Sequence, residues 1–228
     1  LARPCPYRCE FCYEDGLPDA SRPKARNPAS DPELNLRLSL WRQGRDLAGF
    51  QGLRYGEILP HPRFAEALHA VRQVADRPIP IATAGAGLSE EKLRALAGQP
   101  RVLVQLSLNT CDPARRERLM GDRQAARLVQ LLPRFRELDV AWAASAVAWP
   151  GVPLEDLAAT VRAAQEHGAL HFVVFLPSFS KYFPLEPVFD WEARWRETTA
   201  FVRDLRAKVR IPVRIAPDEV FEARFALG

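Results

Sequence analysis

The stretch CPYRCEFC, residues 5–12, contains three of the four cysteines of the chain: Cys5, Cys9 and Cys12. Three thiolates on one short loop can hold one metal centre, and soft sulfur ligands select zinc or an iron–sulfur cluster over magnesium or calcium. A structural zinc site normally has four protein ligands, and no His or Cys follows this stretch at zinc-finger spacing. The pattern therefore predicts a three-cysteine metal centre with one open coordination position.

The spacing C-x3-C-x2-C resembles the hallmark of the radical S-adenosylmethionine (SAM) superfamily, in which an aromatic residue commonly precedes the last cysteine, as Phe11 does here. The resemblance implies a [4Fe–4S] cluster held by Cys5, Cys9 and Cys12, next to which Phe11 would contact the cofactors. It also implies that SAM binds the fourth iron, and that an electron from a reductant such as flavodoxin or ferredoxin then generates a 5′-deoxyadenosyl radical. The protein would bind, orient and shield these cofactors.

The length and composition fit one globular domain of moderate size. With 228 residues, of which 47% are hydrophobic, the chain is long enough for most of one α/β barrel. The net charge is +4 and the pI about 9.1, but acidic and basic residues alternate along the predicted helices, which favours solvated helix faces over a nucleic-acid-binding stripe. No apolar run of about 18 residues and no signal peptide occur, and the clustered cysteines fit a reducing cytoplasm.

Strand and helix patterns alternate along the chain. We predict strands over residues 51–59, 79–83, 102–108, 140–148, 170–176 and 210–215, and helices over residues 32–47, 64–75, 90–97, 113–120, 124–138, 154–166 and 191–208. The apolar run at residues 170–176 predicts a strand that is buried on both faces. Such alternation predicts a parallel sheet, either a barrel or a doubly wound sheet. The resemblance implies a partial (β/α)6 TIM-type barrel with outer helices and with SAM at the carboxyl ends of the strands.

The chain begins with Leu1, and only four residues precede Cys5. In the superfamily the cysteine loop follows the first barrel strand. We therefore expect residues 1–228 to be a radical SAM core domain that lacks its first strand and is part of a longer protein.

A second motif, YGEILPHP over residues 55–62, resembles the superfamily segment G-G-E-P, although Tyr55 and Ile58 depart from it. The resemblance implies that Glu57 and the backbone near Gly56 contact the amino group of SAM. A carboxylate is a suitable partner, because it accepts a charge-assisted hydrogen bond from an ammonium group. The alternative is an ordinary solvated Glu at the end of a strand.

Two further strand ends carry weaker motifs. Residues 107–109, Ser-Leu-Asn, resemble the Ser-x-Asp of the superfamily, which implies that Ser107 reaches the ribose or methionine part of SAM. For Ser107 and Asn109 alike, the alternative is a polar group that bonds to its own loop. Residues 83–85, Thr-Ala-Gly, resemble Thr-Asn-Gly and imply a backbone role only. Cys111 is either a radical relay at the barrel mouth or a buried structural thiol.

The later half has a more scattered resemblance to an uncharacterised radical SAM group with a PDZ-like segment before the barrel, carried by residues 15–18, 149–152, 180–182 and 217–221. Ser178, Lys181 and Tyr182 follow the strand at 170–176 and are candidates for substrate contacts. No catalytic residue can be named.

The resemblance therefore predicts a radical SAM enzyme that acts on a small molecule or a peptide. The alternatives are a zinc-stabilised binding module without catalysis and a radical SAM enzyme that modifies tRNA. Neither a membrane nor, in the preferred interpretation, a nucleic acid is a partner.

Overall fold

The computed structural model describes residues 5–12, 39, 43, 57, 59–74, 79–99, 101–177 and 190–216. The predicted helix over residues 32–47 lies outside the described residues except for Ser39 and Gln43. The predicted strand over residues 51–59 lies outside them except for Glu57 and Leu59.

Five parallel strands form one sheet in the described part of the chain. They are β1 (Ile79–Thr83), β2 (Val102–Ser107), β3 (Trp142–Val147), β4 (Phe172–Phe175) and β5 (Val213–Ala216). The helices there are α1 (Phe64–Val74), α2 (Glu90–Leu96), α3 (Pro113–Met120), α4 (Ala125–Glu137), α5 (Leu154–Glu166) and α6 (Trp191–Arg206). These elements agree with the predicted ones to within a few residues. None of these helices combines the length and apolarity needed to traverse a bilayer.

The order of the strands decides between the two predicted architectures. The sheet order is β1-β2-β3-β4-β5, so each crossover advances by one position in the same direction. A doubly wound sheet would instead reverse direction at a switch point. Right-handed crossovers that all advance in one direction place their helices on one face of the sheet. The protein therefore has the α/β fold of a partial TIM-type barrel, whose outer face carries the helices.

Alternate residues of the strands form the core between the sheet and the helices. Partners such as Ile81 and Val104, or Ala144 and Phe172, are in register and fully or nearly fully buried. They cluster with helix residues such as Phe135. The residues of this face of the sheet are Ile79, Ile81, Val102, Val104, Leu106, Trp142, Ala144, Ala146, Phe172, Val174, Val213 and Ile215.

The opposite face of the sheet is more open, and one prediction was therefore wrong. Phe175, in the run predicted to be buried on both faces, is 43% exposed, and Leu170 before it is 56% exposed. The described helices cover the outer face, and the exposure of Phe175 shows that the inner face of the partial barrel keeps solvent access. Ser107 lies on that inner face beside its register partner Ser145, and both are partly exposed.

The turn after β2 is fixed by Asn109, which is buried and has a φ of 60°. Asn tolerates this left-handed conformation better than most residues. Its Nδ2 donates to the carbonyl of Ser107 at 3.2 Å, and its Oδ1 accepts from the backbone N–H of Val147 at 3.0 Å. Asn109 thus joins the carboxyl ends of β2 and β3, and the interpretation that its side chain bonds to its own loop is confirmed.

Replacing Asn109 by Asp, the residue usual in the superfamily motif, should destabilise the protein. A carboxylate cannot donate to the carbonyl of Ser107, and the loss of one buried hydrogen bond costs about 1–3 kcal/mol. We expect N109D to lower the free energy of unfolding by that amount in urea denaturation at pH 7.

Gln105→Glu is the matched control, because it makes the same amide-to-acid change at an exposed position of the same strand. It should change the free energy of unfolding by less than about 0.5 kcal/mol. An N109D protein as stable as the Q105E control would contradict the donor role of Asn109.

Candidate functional site

The cysteine loop, residues 5–12, lies against the end of α3. The backbone N–H of Arg8 donates to the carbonyl of Met120 at 2.8 Å, and the N–H of Glu10 donates to the carbonyl of Leu119 at 3.0 Å. Helix α3 ends at Gly121, whose φ of 67° is the left-handed conformation that glycine adopts without strain. Cys9 and Phe11 of the loop pack in one cluster with Ala84 and Trp149, which follow β1 and β3, so the loop lies at the carboxyl edge of the sheet.

A small apolar cluster supports one side of the cysteine loop. Its buried members are Leu119, Met120, Trp149 and Val152, and Tyr7, Cys9 and Phe11 pack against it. The ring centroids of Phe11 and Trp149 are 6.0 Å apart. Trp149 also donates from Nε1 to the carboxylate of Glu10 at 2.9 Å. The structure thus gives Phe11, predicted to contact the cofactors, a packing contact with Trp149.

The three thiols of the cysteine loop influence one another electrostatically. Burial and, after it, the neighbouring Cys5 and Cys12 raise the pKa of Cys9 to about 12, whereas the positive charge of Arg116 opposes the rise. All three cysteines are half-buried. Without a metal the Cys9 thiol is therefore protonated at neutral pH, and metal binding would replace its proton. A donor set of sulfur alone fits a soft metal or an iron–sulfur centre.

Among the described residues, no three His, Cys, Asp or Glu side chains converge on a point that could hold a single metal ion. An iron–sulfur cluster makes a different demand, because each thiolate is bonded to a different iron atom. The three thiols on one loop therefore match, in number and in chemistry, the ligands of a four-iron cluster in which one iron has no protein ligand.

Glu57 is buried at the carboxyl end of β1. Its Oε2 accepts from the hydroxyl of Thr83 at 2.5 Å, and its Oε1 accepts from the backbone N–H of Ala84 at 2.6 Å. The alternative of a solvated strand-end Glu is therefore wrong, since the carboxylate is 3% exposed. Each carboxylate oxygen can accept more than one hydrogen bond, so this anchoring is compatible with an additional cationic partner. Gly56 lies outside the described residues.

Ser107 ends β2 at the same edge of the sheet. Thr83, which holds Glu57, is the register partner of Leu106, so Glu57 and Ser107 belong to adjacent strand ends. The structure therefore brings together the cysteine loop, Glu57 and Ser107 at one edge. Thr83 was predicted to act through its backbone only, but its hydroxyl also donates to Glu57 and accepts from the N–H of Gly85 at 2.8 Å.

Cys111 lies apart from the cysteine loop and faces α5. Its backbone N–H donates to the hydroxyl of Thr160 at 3.2 Å, and its side chain packs against the main core. Burial, followed by the negative charge of Asp156, raises the pKa of Cys111 to about 11. These contacts favour a structural thiol over a radical relay. The substrate candidates Ser178, Lys181 and Tyr182 lie outside the described residues.

Sequence reasoning missed Arg116, which is fully buried on α3. Its Nε donates to Asp122 at 2.6 Å, and its Nη1 donates to the carbonyls of Ser107, at 3.1 Å, and Leu108. Its Nη2 donates to the carbonyl of Ala84. One signal was available: Arg116 precedes Met120 by one helical turn, so an arginine occupies the apolar face of α3.

The guanidinium carbon of Arg116 also lies 5.8 Å from the ring centroid of Tyr7, inside the cysteine loop. Burial and the negative charge of Asp122 raise the pKa of the Tyr7 hydroxyl, so it stays protonated. Arg116 thus contacts every part of the site that the structure describes: the ends of β1 and β2, and the cysteine loop.

The chain resembles solved structures of SuiB from Streptococcus suis. The structure of SuiB bound to the precursor peptide SuiA has a TM-score of 0.70 at 19% identity over 99% of this chain and 49% of SuiB. SuiB bound to S-adenosylmethionine gives a TM-score of 0.70 at 19% identity over 96% of this chain and 50% of SuiB. The chain thus spans about half the length of these proteins, and the likeness concerns the fold.

No curated protein sequence matches the chain closely enough to count as a relative. The family model of the radical SAM superfamily, however, matches residues 1–164, which include the cysteine loop and the ends of β1, β2 and β3. Members of this family use a [4Fe–4S] cluster and SAM. The chain belongs to the radical SAM superfamily.

Proposed function

We propose that this chain is the core of a radical SAM enzyme in which Cys5, Cys9 and Cys12 hold a [4Fe–4S] cluster, and in which Glu57 and Ser107 contact SAM. The observation that carries the proposal is the position of the three-cysteine loop. It is hydrogen-bonded to the end of α3, at the same sheet edge as the anchored carboxylate of Glu57. We also propose that residues 1–228 form one core domain.

Each residue of the site has its own proposed role. Glu57, kept in one orientation by Thr83 and Ala84, accepts from the ammonium group of SAM, with Gly56 beside it. Ser107 offers a hydroxyl on the open inner face. Phe11 and Trp149 exclude water from one side of the loop, which protects a reactive intermediate from side reactions. Cys5, Cys9 and Cys12 would hold the cluster, which would supply the electron for the reductive cleavage of SAM.

The substrate is proposed to be a peptide or a small molecule that enters along the open inner face of the sheet. Partly exposed side chains of both polar and apolar type line this face, among them Ser145 and Phe175, and such a surface suits a ligand of mixed polarity. The SuiB structure with a precursor peptide lends support to the peptide. A one-electron donor such as flavodoxin or ferredoxin and a reducing cytoplasm complete the proposal.

Removing one thiol of the loop should abolish the metal centre. We expect the parent chain, reconstituted anaerobically with iron and sulfide, to bind about four iron atoms per molecule and to form 5′-deoxyadenosine from SAM after reduction with dithionite. Cys9→Ala should lose the product and most of the iron. Iron analysis, electron paramagnetic resonance (EPR) of the reduced protein and chromatography of the nucleoside products measure these effects.

Cys111→Ala is the matched control, since it removes a half-buried thiol that packs against the main core. It should retain the iron and the product. A colourless parent protein that takes up zinc but no iron would instead favour the zinc-stabilised binding module. Equal iron binding by the Cys9 and Cys111 variants would contradict the ligand assignment.

Glu57→Gln should weaken SAM binding to the reconstituted protein. The change removes a charged acceptor of the SAM ammonium, and a hydrogen bond to a charged group contributes about 1.5–3 kcal/mol, which corresponds to a dissociation constant roughly 10–150 times larger. Titration calorimetry under anaerobic conditions measures the constant.

Thr83→Val provides the comparison, because it leaves the charge of Glu57 in place and removes only the hydroxyl that orients it. We expect a smaller loss of affinity, roughly fivefold. If Thr83→Val weakens binding as much as Glu57→Gln does, the orientation of the carboxylate and not its charge decides the affinity. An unchanged dissociation constant in Glu57→Gln would exclude Glu57 from the SAM site.

A further inference from the structure

We propose that Arg116 is a positioning residue that holds the cysteine loop in a fixed place relative to Glu57 and Ser107. Its guanidinium contacts Tyr7 of the loop and, at the same time, the backbone at the ends of β1 and β2. The inference rests on the proposed function, because the relative placement of thiols and carboxylate matters only if one cofactor assembly spans them.

The orientation of the guanidinium is fixed on all sides. Arg116 is 0% exposed, its partner Asp122 is 2% exposed, and each of its three nitrogens donates to a protein acceptor. The planar guanidinium offers donors in fixed directions. A buried charge that lost its partners would be strongly unfavourable, so Arg116 has little freedom to rotate away from Tyr7.

The acceptors of Arg116 belong to the residues that carry the site. Its Nη2 donates to the carbonyl of Ala84, whose N–H holds the carboxylate of Glu57. Its Nη1 donates to the carbonyl of Ser107, whose side chain lies on the open inner face. Movement of Arg116 would therefore displace the backbone that positions both Glu57 and Ser107.

The contact with Tyr7 connects this frame to the thiols. Tyr7 lies between Cys5 and Cys9, and its ring lies within cation–π range of the guanidinium. The residues that follow it are bonded to Met120 and Leu119 of the same helix. Helix α3 therefore contacts the loop at two places, its last turn and Arg116. A single contact would let the loop rotate about it, whereas two contacts restrict that rotation.

The test compares Tyr7→Leu with Tyr7→Phe, since both leave the contacts of Arg116 with Asp122, Ala84 and Ser107 in place. Hydrogen exchange of the Arg8 and Glu10 amides is followed by NMR in the full chain without metal. We expect Tyr7→Leu to speed their exchange roughly tenfold, while amides of β2 and β3 exchange as in the parent. Tyr7→Phe keeps an aromatic ring over the guanidinium and loses only the interaction of the hydroxyl with Arg116, so it should accelerate exchange less than Tyr7→Leu does.

Arg116→Lys is the second variant. Lys keeps the charge but cannot reproduce the planar set of donors, so exchange of Arg8 and Glu10 should accelerate by at least as much as in Tyr7→Leu. In the reconstituted proteins, both Tyr7→Leu and Arg116→Lys should broaden the EPR signal of the reduced cluster. If Arg116 acted only on global stability, the amides of β2 and β3 would exchange faster in parallel with those of Arg8 and Glu10.

Unchanged exchange and an unchanged EPR spectrum in Tyr7→Leu would overturn the proposal, and so would parallel acceleration of all amides. The exchange measurement needs no cluster, so it separates the two hypotheses. Selective loosening of the loop in a protein that never binds iron would refute the proposed function while retaining the positioning role. A normal cluster together with unchanged exchange of the loop amides in Tyr7→Leu would support the proposed function and refute the positioning role of Arg116.

Discussion

All five described strands run in the same direction, and each crossover advances to the adjacent position of the sheet. This constraint brings every carboxyl end to one edge, and it leaves one face of the sheet to the helices and the other face open. Residues far apart in the chain, such as Glu57, Ser107 and Trp149, reach the same neighbourhood for this reason. The strand order determines which residues can lie close together at this edge, and the individual side chains determine only the contacts made there.

An edge of this kind creates a problem of hydrogen bonding, because backbone carbonyls beyond the last ladder bond still need donors once they are buried. Two arginines supply them. Arg116 donates to the carbonyls of Ala84, Ser107 and Leu108. Arg194 of α6 donates to the carbonyls of Ala148, Trp149 and Val152, at 3.1, 3.0 and 2.6 Å.

A guanidinium suits this task since its donors point in several directions within one plane. The outcome is that the turns after β1, β2 and β3 are held by side chains from the helices, and the small apolar cluster around Trp149 rests on turns that are themselves fixed.

Much of this fold follows from local sequence patterns. The sequence patterns predicted β2, α2 and α3 to within a few residues. In the structure the side chains of Ser89 and Asp112 accept backbone N–H groups at the starts of α2 and α3. The cysteine motif identifies its loop because three residues of one chemistry at fixed spacing form a signal of their own. Arg116 could not be predicted in the same way. Its partner Ala84 is 32 residues away. The spacing of one turn to Met120 places Arg116 on the apolar side of α3, but Arg115 has the same spacing to Leu119, so this local signal does not separate the two arginines.

The exposure of Phe175 was unpredictable for a related reason. A run of apolar residues indicates a strand in a parallel sheet, but it does not indicate which of its two faces the helices cover. The same limit applies to Glu57, whose burial depends on Thr83 and Ala84 of the neighbouring strand. Motif spacing locates the candidate residues, whereas their environment is set by contacts between elements.

The cysteine loop shows how one short segment can be fixed in place and still present thiols to a ligand. Its exposure alternates along the chain, with Tyr7, Cys9 and Phe11 more buried than Pro6, Arg8 and Glu10. The packed set meets the apolar cluster, which is why burial is the largest influence on the pKa of Cys9. The contacts of Arg8 and Glu10 with α3 come from backbone groups between the cysteines.

The C-x3-C-x2-C spacing therefore has a structural role in addition to its proposed ligand role, since it leaves intervening residues that can dock the loop on α3 and Trp149. A loop docked in this way loses less conformational entropy when it binds a metal centre than a flexible loop would. The smaller loss of entropy offsets part of the cost of ionising the Cys9 thiol, whose burial favours the protonated form. Nearby, the positive charge of Arg116 lowers the pKa of Cys9 and acts in the same direction.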